Sequence, residues 1–177
     1  GYLPQVVEML PGTIRDNIAR FDPAAKDDAV IEAAQVAGVH DMILRLPDGY
    51  ASRVGGAEQP LSGGQIQRLG LARAIYGWPK IIVLDEPNSN LDVSGDDALS
   101  NAIIEMRKHG SVVIVMAHRP SAIASVNKLM ILHQGRVAQF GDKEDILQDA
   151  VRTADPAVVA APKPAAKQAE EAKKAAP

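Results

Sequence analysis

The sequence predicts an α/β fold in which a helical part is followed by strands of a parallel sheet. Two runs of β-branched and other apolar residues, 81–84 and 112–116, resemble parallel strands that are buried on both faces. Between them, residues 95–108 place apolar side chains at helical spacing, and Gly110 follows as a stop signal. A strand, a helix and a second strand in this order predict a right-handed crossover unit.

The part of the chain before these strands has mainly helical patterns. The segment from Gly1 to Gln5 resembles the end of a strand, after which Ile14 and Ile18 share one helix face. Glycines and prolines ahead of residue 61 indicate a loop before a longer helix. Besides the helix that carries Ile14, helices are predicted over residues 27–37, 39–44 and 64–76.

After the second strand, residues 128–132 and 136–140 predict a hairpin, and residues 143–150 predict a short last helix. From Asp155 onwards almost all residues are Ala, Pro, Lys, Glu or Gln, which lack the large apolar side chains that could offset the entropy of ordering. We therefore predict three parts. They are a helical part at 1–78, the C-terminal part of an α/β core at 79–152 and a flexible, disordered tail at 153–177.

Composition excludes several kinds of protein. A formal net charge of −3 provides no basic surface, so nucleic acid is not a favoured partner. The chain has no cysteine, and its 4 histidines lack the spacing of metal ligands. No apolar run approaches the roughly 20 residues of a membrane-spanning helix, so membrane association is expected to come through a partner segment. Because the first residue is not methionine, we expect the chain to be part of a longer protein.

Two carboxylates, Asp85 and Glu86, directly follow the first predicted strand. They would lie at the carboxyl end of a buried strand, where ligands bind in open α/β sheets. This is the Walker B pattern, in which Asp85 would hold Mg²⁺ and Glu86 would activate the water that attacks a γ-phosphate. Taken alone, the pattern is equally compatible with a strand that simply ends in two acidic residues.

The pentapeptide Leu61-Ser62-Gly63-Gly64-Gln65 precedes one of the predicted helices. Its adjacent glycines leave backbone N–H groups free to approach a phosphate, with the helix dipole behind them. The hydroxyl of Ser62 adds another donor. An ordinary glycine turn that caps a helix is the alternative, and the carboxylate pair downstream makes that the weaker interpretation.

With these motifs in this order, the chain resembles the ATP-binding domain of ABC transporters from its first residue to about Arg152. The pentapeptide matches the signature of that family, and the strand with its two carboxylates matches the Walker B motif. Further features resemble, in family order, the Q-loop glutamine (Gln5), the D-loop (residues 89–92) and the switch histidine (His118).

The resemblance implies that ATP and Mg²⁺ are the cofactors and that two such domains form a homodimer. In this family the signature of one subunit closes over ATP held by the other, so residues 61–65 would contact the partner's nucleotide. Asp92 would contact it as well. The plainer interpretation of Asp92 is that it only caps the helix that follows.

The resemblance also implies roles on the nucleotide's own side. Gln5 would join Asp85 as a contact of Mg²⁺, and His118 would hydrogen-bond the γ-phosphate and help Glu86 to fix the attacking water. A structural histidine at His118 and an ordinary loop amide at Gln5 are the alternatives.

Two stretches resemble particular branches of the family. Residues 13–18 resemble a motif of exporter-type domains, and residues 86–92 resemble the protease-exporting branch of type I secretion ATPases. This implies ATP hydrolysis that powers export of a protein. The whole protein would carry an N-terminal transmembrane domain, lie at the cytoplasmic face of the inner membrane, and work with a periplasmic adaptor and an outer-membrane channel.

The sequence departs from the family in three places. Residues 55–60 lack the acidic and basic pair that exporters carry before the signature, and Ile66 stands where a polar residue is more usual. No G-x-x-x-x-G-K-[ST] motif occurs, and no lysine follows a glycine. Since that phosphate-binding loop is the main cradle for nucleotide, the chain by itself is expected to be inactive.

Two other interpretations stay open. A soluble ABC protein of translation or DNA repair would share these motifs, but it should carry a second cassette or long coiled-coil heptads. A non-catalytic interaction module would not need Asp85, Glu86 and His118 together.

Overall fold

The structure of the chain is a computed structural model that describes residues 1–56, 61–89, 91, 93–117 and 120–153. The chain forms two compact units, Gly1–Ser125 and a second unit that begins at Val126. Asp92, His118, most of the loop before the signature and the predicted tail beyond Thr153 lie outside the described residues.

The first unit follows the predicted order of elements. Its strands are β1 (Tyr2–Leu3), β2 (Gly12–Thr13), β3 (Arg53–Val54), β4 (Ile81–Asp85) and β5 (Val112–Met116). Its helices are α1 (Ile14–Ile18), α2 (Asp27–Val36), α3 (His40–Leu44), α4 (Gly63–Ile75), α5 (Val93–Lys108) and α6 (Pro120–Ile123), with a 3₁₀ turn at Gly49–Ala51. The predicted helices and strands of this unit are confirmed to within a residue or two at each end. The antiparallel pairing of β2 with β3 and the short α6 were not predicted.

Three strands form a parallel sheet in the order β1, β4, β5. Leu3 lies opposite Leu84, and Asp85 lies opposite Met116. Because the strands run in the same direction, their carboxyl ends meet at one edge, which is the edge where ligands bind in such sheets.

The sheet is covered on one face only within the described part of the chain. Leu3, Ile82 and Leu84 are completely buried in the core. On the other face of β5, Val112 is 60% exposed and Ile114 is 49% exposed. Alternate side chains of a strand point to opposite faces, so within the described residues both strands are buried on one face only, and apolar side chains of the other face stay exposed. The described helices pack against one face and leave the other uncovered.

Helix α1 begins with a capping box, in which two residues satisfy each other's backbone N–H groups. The Asp16 N–H donates to Thr13 Oγ1 at 3.0 Å, and the Thr13 N–H donates to Asp16 Oδ2 at 3.0 Å. Hydrogen bonds from the Thr13 side chain and backbone hold the pKa of Asp16 below its usual value. The pattern Thr-x-x-Asp therefore determines where the chain turns from β2 into α1.

The turn between α4 and β4 is attached to the end of α5. Trp78 has a φ of 49° and follows Gly77 in this turn. Its ring stacks on that of His109, with centroids 3.6 Å apart and planes at 6°. Since His109 comes directly after α5, the two helix ends are held side by side.

The second unit consists of a hairpin and a helix. Strands β6 (Lys128–His133) and β7 (Arg136–Asp142) pair antiparallel, and α7 (Lys143–Thr153) follows. Gln134 and Gly135, with φ of 49° and 73°, form the two-residue turn of the predicted hairpin. None of the helices within the described ranges is both long enough and apolar enough to cross a bilayer.

Candidate functional site

Two residues of the predicted site meet at the carboxyl edge of the sheet. Gln5 Nε2 donates a hydrogen bond of 3.0 Å to Glu86 Oε2, although the residues are 81 positions apart. The contact forms because β1 and β4 are neighbours, and Gln5 lies just beyond β1 whereas Glu86 directly follows β4. The contact is exposed to solvent, so a ligand can reach it.

The backbone of Glu86 lies in the left-handed region, with φ at 45°. This conformation costs a non-glycine residue about 1–3 kcal/mol and persists only where neighbours hold it in place. The Glu86 N–H donates to the Met116 carbonyl at 2.8 Å, and the Glu86 carbonyl accepts from the Ser89 N–H at 3.1 Å. The second bond closes a turn that has Pro87 at its favoured second position. Both β5 and this turn therefore hold the carboxylate at the end of β4.

The signature residues form the N-terminus of α4, which begins with a second capping box. The Ser62 N–H donates to Gln65 Oε1 at 2.8 Å, and the Gln65 N–H donates to Ser62 Oγ at 3.3 Å. The hydroxyl hydrogen of Ser62 is used in neither bond and can be donated to a ligand. Gly63 and Gly64 are the first helical residues, whose N–H groups have no partner within a helix. The arrangement suits an anion.

Asp85 and Leu61 have different surroundings. Asp85 is the half-buried last residue of β4, immediately before the carboxylate that contacts Gln5. Leu61 is half-buried and packs against the hydrophobic core just before α4. Leu61 therefore anchors the signature, whereas Asp85 presents a carboxylate at the sheet edge.

Gln67 joins the signature helix to the end of β4, and the sequence analysis did not identify it. The side chain is 2% exposed, and its Nε2 donates to the Glu86 carbonyl at 3.4 Å. Gln67 lies on the same face of α4 as the buried residues Leu71 and Ala74, at i+4 and i+7. That spacing could have revealed an inward-facing amide.

A buried polar cluster ties the segment after Gln5 to α1 and α4. Asn17 is 1% exposed. Its Oδ1 accepts from the Leu10 N–H at 2.9 Å and from Arg73 Nη2 at 2.8 Å, and its Nδ2 donates to the Leu10 carbonyl at 2.8 Å and the Thr13 carbonyl at 3.0 Å. Arg73 Nη1 also donates to the Glu8 carbonyl at 3.1 Å, and burial lowers the pKa of Arg73.

An open groove of about 490 Å³ lies between the segment after Gln5 and the start of α4. Its lining consists of residues 7–9, Gly55, Gly56, Leu61 and Ile66. Ile66, which departs from the family pattern, therefore faces this groove.

The residues at the sheet edge fit a magnesium ion that is shared with a nucleotide. Asp85 offers a carboxylate and Gln5 an amide oxygen, which are the hard ligands that Mg²⁺ prefers. Within the described ranges, no group of three His, Cys, Asp or Glu side chains could hold a metal. Mg²⁺ is usually held by one or two carboxylates together with phosphates and water, so this edge suits Mg²⁺ bound with ATP rather than a metal held by protein alone.

Two predicted site residues lie outside the described residues. These are Asp92, after the Walker B turn, and His118, shortly after the end of β5 at Met116. Their roles stay predictions.

Comparison with known proteins yields a family, curated relatives and a similar structure. The sequence profile described as ABC transporter matches residues 1–89. The type I secretion system ATP-binding protein PrsD of Rhizobium meliloti is 53% identical over 152 residues, which cover 86% of this chain and 26% of that protein. The cyclolysin secretion/processing ATP-binding protein CyaB of Bordetella pertussis is 36% identical over 147 residues, 83% of this chain and 20% of that protein. A solved structure of a bacterial Atm1-family ABC exporter with ATP bound has a TM-score of 0.76 at 34% identity, over 87% of this chain and 28% of that chain. The chain thus spans between a fifth and just over a quarter of the length of these proteins.

Proposed function

Since this chain belongs to the ABC transporter family, we propose that the protein it forms part of hydrolyses ATP to power export of a protein across a membrane. The fold is α/β with a parallel sheet, a portion of the P-loop NTPase core of such transporters. The observation that supports hydrolysis best is the hydrogen bond from Gln5 to Glu86. It brings the amide and the carboxylate of two separate motifs together at the edge where phosphates would lie.

In the proposed reaction, Glu86 accepts a proton from a water as the water oxygen attacks the γ-phosphorus. The bond from that phosphorus to the β-γ bridging oxygen breaks, and ADP leaves with the electron pair. Gln5 holds the carboxylate in place through its Nε2, and its amide oxygen with Asp85 would hold Mg²⁺. Held there, Mg²⁺ would supply positive charge that neutralises the phosphates. His118 is proposed to contact the γ-phosphate.

The signature is proposed to serve the nucleotide of a second, identical subunit. The Ser62 hydroxyl and the N–H groups of Gly63 and Gly64 supply donors at the start of α4, while Leu61 and Gln65 fix that start. Asp92 is proposed to contact the partner as well. The helix dipole adds to the attraction for phosphate.

The whole protein is proposed to contain a transmembrane domain N-terminal to this chain and to lie at the cytoplasmic face of the inner membrane. The relatives named for type I secretion and cyclolysin secretion support an export role. A periplasmic adaptor and an outer-membrane channel are proposed as partners from the family resemblance alone. We retain the division into residues 1–78, 79–152 and 153–177 as part of this proposal.

Substitution of Glu86 by glutamine in the full-length protein tests the hydrolytic function. An amide can still accept the hydrogen bond from Gln5 but cannot take the proton, so the steady-state ATPase rate should fall about 100-fold or more. ATP binding should persist, and ATP should trap the closed dimer. Glu32→Gln, the same change on the exposed face of α2, is the control and should leave the rate unchanged. A Glu86→Gln rate within about tenfold of the wild type would contradict the role as general base.

A further inference from the structure

The carbonyl of the proposed catalytic base is bound by a side chain from the signature helix. Gln67 Nε2 donates to the Glu86 carbonyl, which also accepts from the Ser89 N–H. The two lone pairs of this carbonyl are therefore both used. Because Glu86 has a left-handed φ of 45°, every bond to its peptide groups helps to keep a conformation that the residue would not adopt alone.

The position of Gln67 is costly for a polar side chain. The residue lies among the apolar, core-facing side chains of α4 and is almost completely buried. A buried amide without hydrogen bonds is unfavourable relative to one that is hydrated. A hydrophobic residue would fill this place on the helix without such a cost, so the amide points to a role beyond packing.

The same helix also approaches the strand that leads to Gln5. A Cβ added at Gly70 would lie 2.7 Å from Val7 Cγ1 and 2.9 Å from Leu3 Cδ1. Glycine thus allows α4 to pack closely against the residues on both sides of Gln5. The helix whose first residues form the signature therefore contacts Leu3 and Val7, which flank Gln5, and the carbonyl of Glu86.

From this geometry we infer that Gln67 is a positioning residue for ATP hydrolysis. It holds the Glu86 backbone in the conformation that presents the carboxylate to Gln5, and it makes that conformation depend on the location of α4. A displacement of the signature helix would loosen the bond to the Glu86 carbonyl and with it the alignment of the base. The inference rests on the proposed ATPase function, to which it adds a residue that acts through Glu86 rather than on the nucleotide.

The first test needs no nucleotide. Gln67→Met keeps the length and flexibility of the side chain and fits a buried site, but it removes the donor. In the full-length protein, hydrogen exchange of the Glu86 and Ser89 amides should accelerate about tenfold. This change in rate corresponds to a loss of about 1.4 kcal/mol of local stability. Gln35→Met, the same change on the exposed face of α2, is the control. Unchanged exchange in Gln67→Met would overturn the inference even if the wild type hydrolyses ATP.

The second test separates positioning from general damage by a double-mutant cycle. Gln67→Met should lower kcat for ATP hydrolysis about tenfold. KM should stay within about twofold of the wild-type value, and the thermal unfolding midpoint should stay within a few degrees. In the Glu86→Gln background, followed by single-turnover measurements, the same change should have no further effect. An equal loss in both backgrounds, or an unchanged kcat in the wild-type background, would refute the role. An inactive wild type with accelerated exchange in Gln67→Met would refute the proposed function and leave the positioning contact supported.

Discussion

Asn17→Leu should destabilise the nucleotide-binding domain by about 3 kcal/mol, because leucine has a similar branched shape but makes none of the hydrogen bonds of Asn17. The Leu10 N–H and carbonyl both bond to the Asn17 amide, at 2.9 and 2.8 Å, in partly buried hydrogen bonds, and would lose these partners on the side that faces the buried residue 17. Each unsatisfied buried backbone group costs about 1–3 kcal/mol. Arg73 would lose one bond but keep those to the Asn17 and Glu8 carbonyls, so its contribution is smaller.

The measurement is urea unfolding of the complete nucleotide-binding domain of the protein, followed by circular dichroism. A loss of about 3 kcal/mol is a large part of the roughly 5–15 kcal/mol that stabilises a typical domain. Asn101→Leu on the exposed face of α5 is the matched control and should change stability by less than about 0.5 kcal/mol. A loss below about 1 kcal/mol for Asn17→Leu would refute the view that this cluster fastens the segment after Gln5.

Three further outcomes are expected. Gly64→Asp should prevent ATP-dependent dimerisation of the complete domain, because the new carboxylate would repel the phosphate that the N–H groups are proposed to bind. Light scattering measures the dimerisation, and normal dimers would show that the signature does not contact nucleotide. Asp16→Ala should destabilise the domain at pH values above about 4, the usual Asp pKa, because the folded pKa of Asp16 is lowered. The difference from the wild type in urea should shrink as the pH falls through that lowered pKa, and a difference that persists in acid would contradict the assignment. The 177-residue chain alone should not bind Mg-ATP more tightly than about 100 μM in calorimetry, and tighter binding would mean that the main nucleotide contacts lie within it.

Elements with local signals were predictable from the sequence. Two capping boxes, Ser62 with Gln65 and Thr13 with Asp16, each consist of residues only three positions apart in the sequence. The predicted start of α4 at residue 64 lies within one residue of the observed start at Gly63. The Gln5 and Glu86 pair was also predictable as a site, though only through motif order, since 81 positions separate its members.

Features that depend on distant packing were not predictable. A run such as Val112–Met116 is equally apolar whether one face or both faces are covered, and the structure covers one. The left-handed backbone of Glu86 has no signal, because the residue type does not favour it. Arg73 looks like an ordinary polar residue of a helix, and only the segment that packs on α4 gives it the Glu8 carbonyl as a partner. For Gln67 the helical spacing indicates an inward-facing side chain, but not that the Glu86 carbonyl is its partner.

The stacked rings at the end of α5 give the chain an optical probe of its own. Trp78 is the single tryptophan, and the imidazole of His109 lies flat against it. The fluorescence emission of the indole therefore reports on one junction alone, where the turn after α4 meets the end of α5. A change in that emission as urea is added would follow the separation of these two helices in real time, with no label attached.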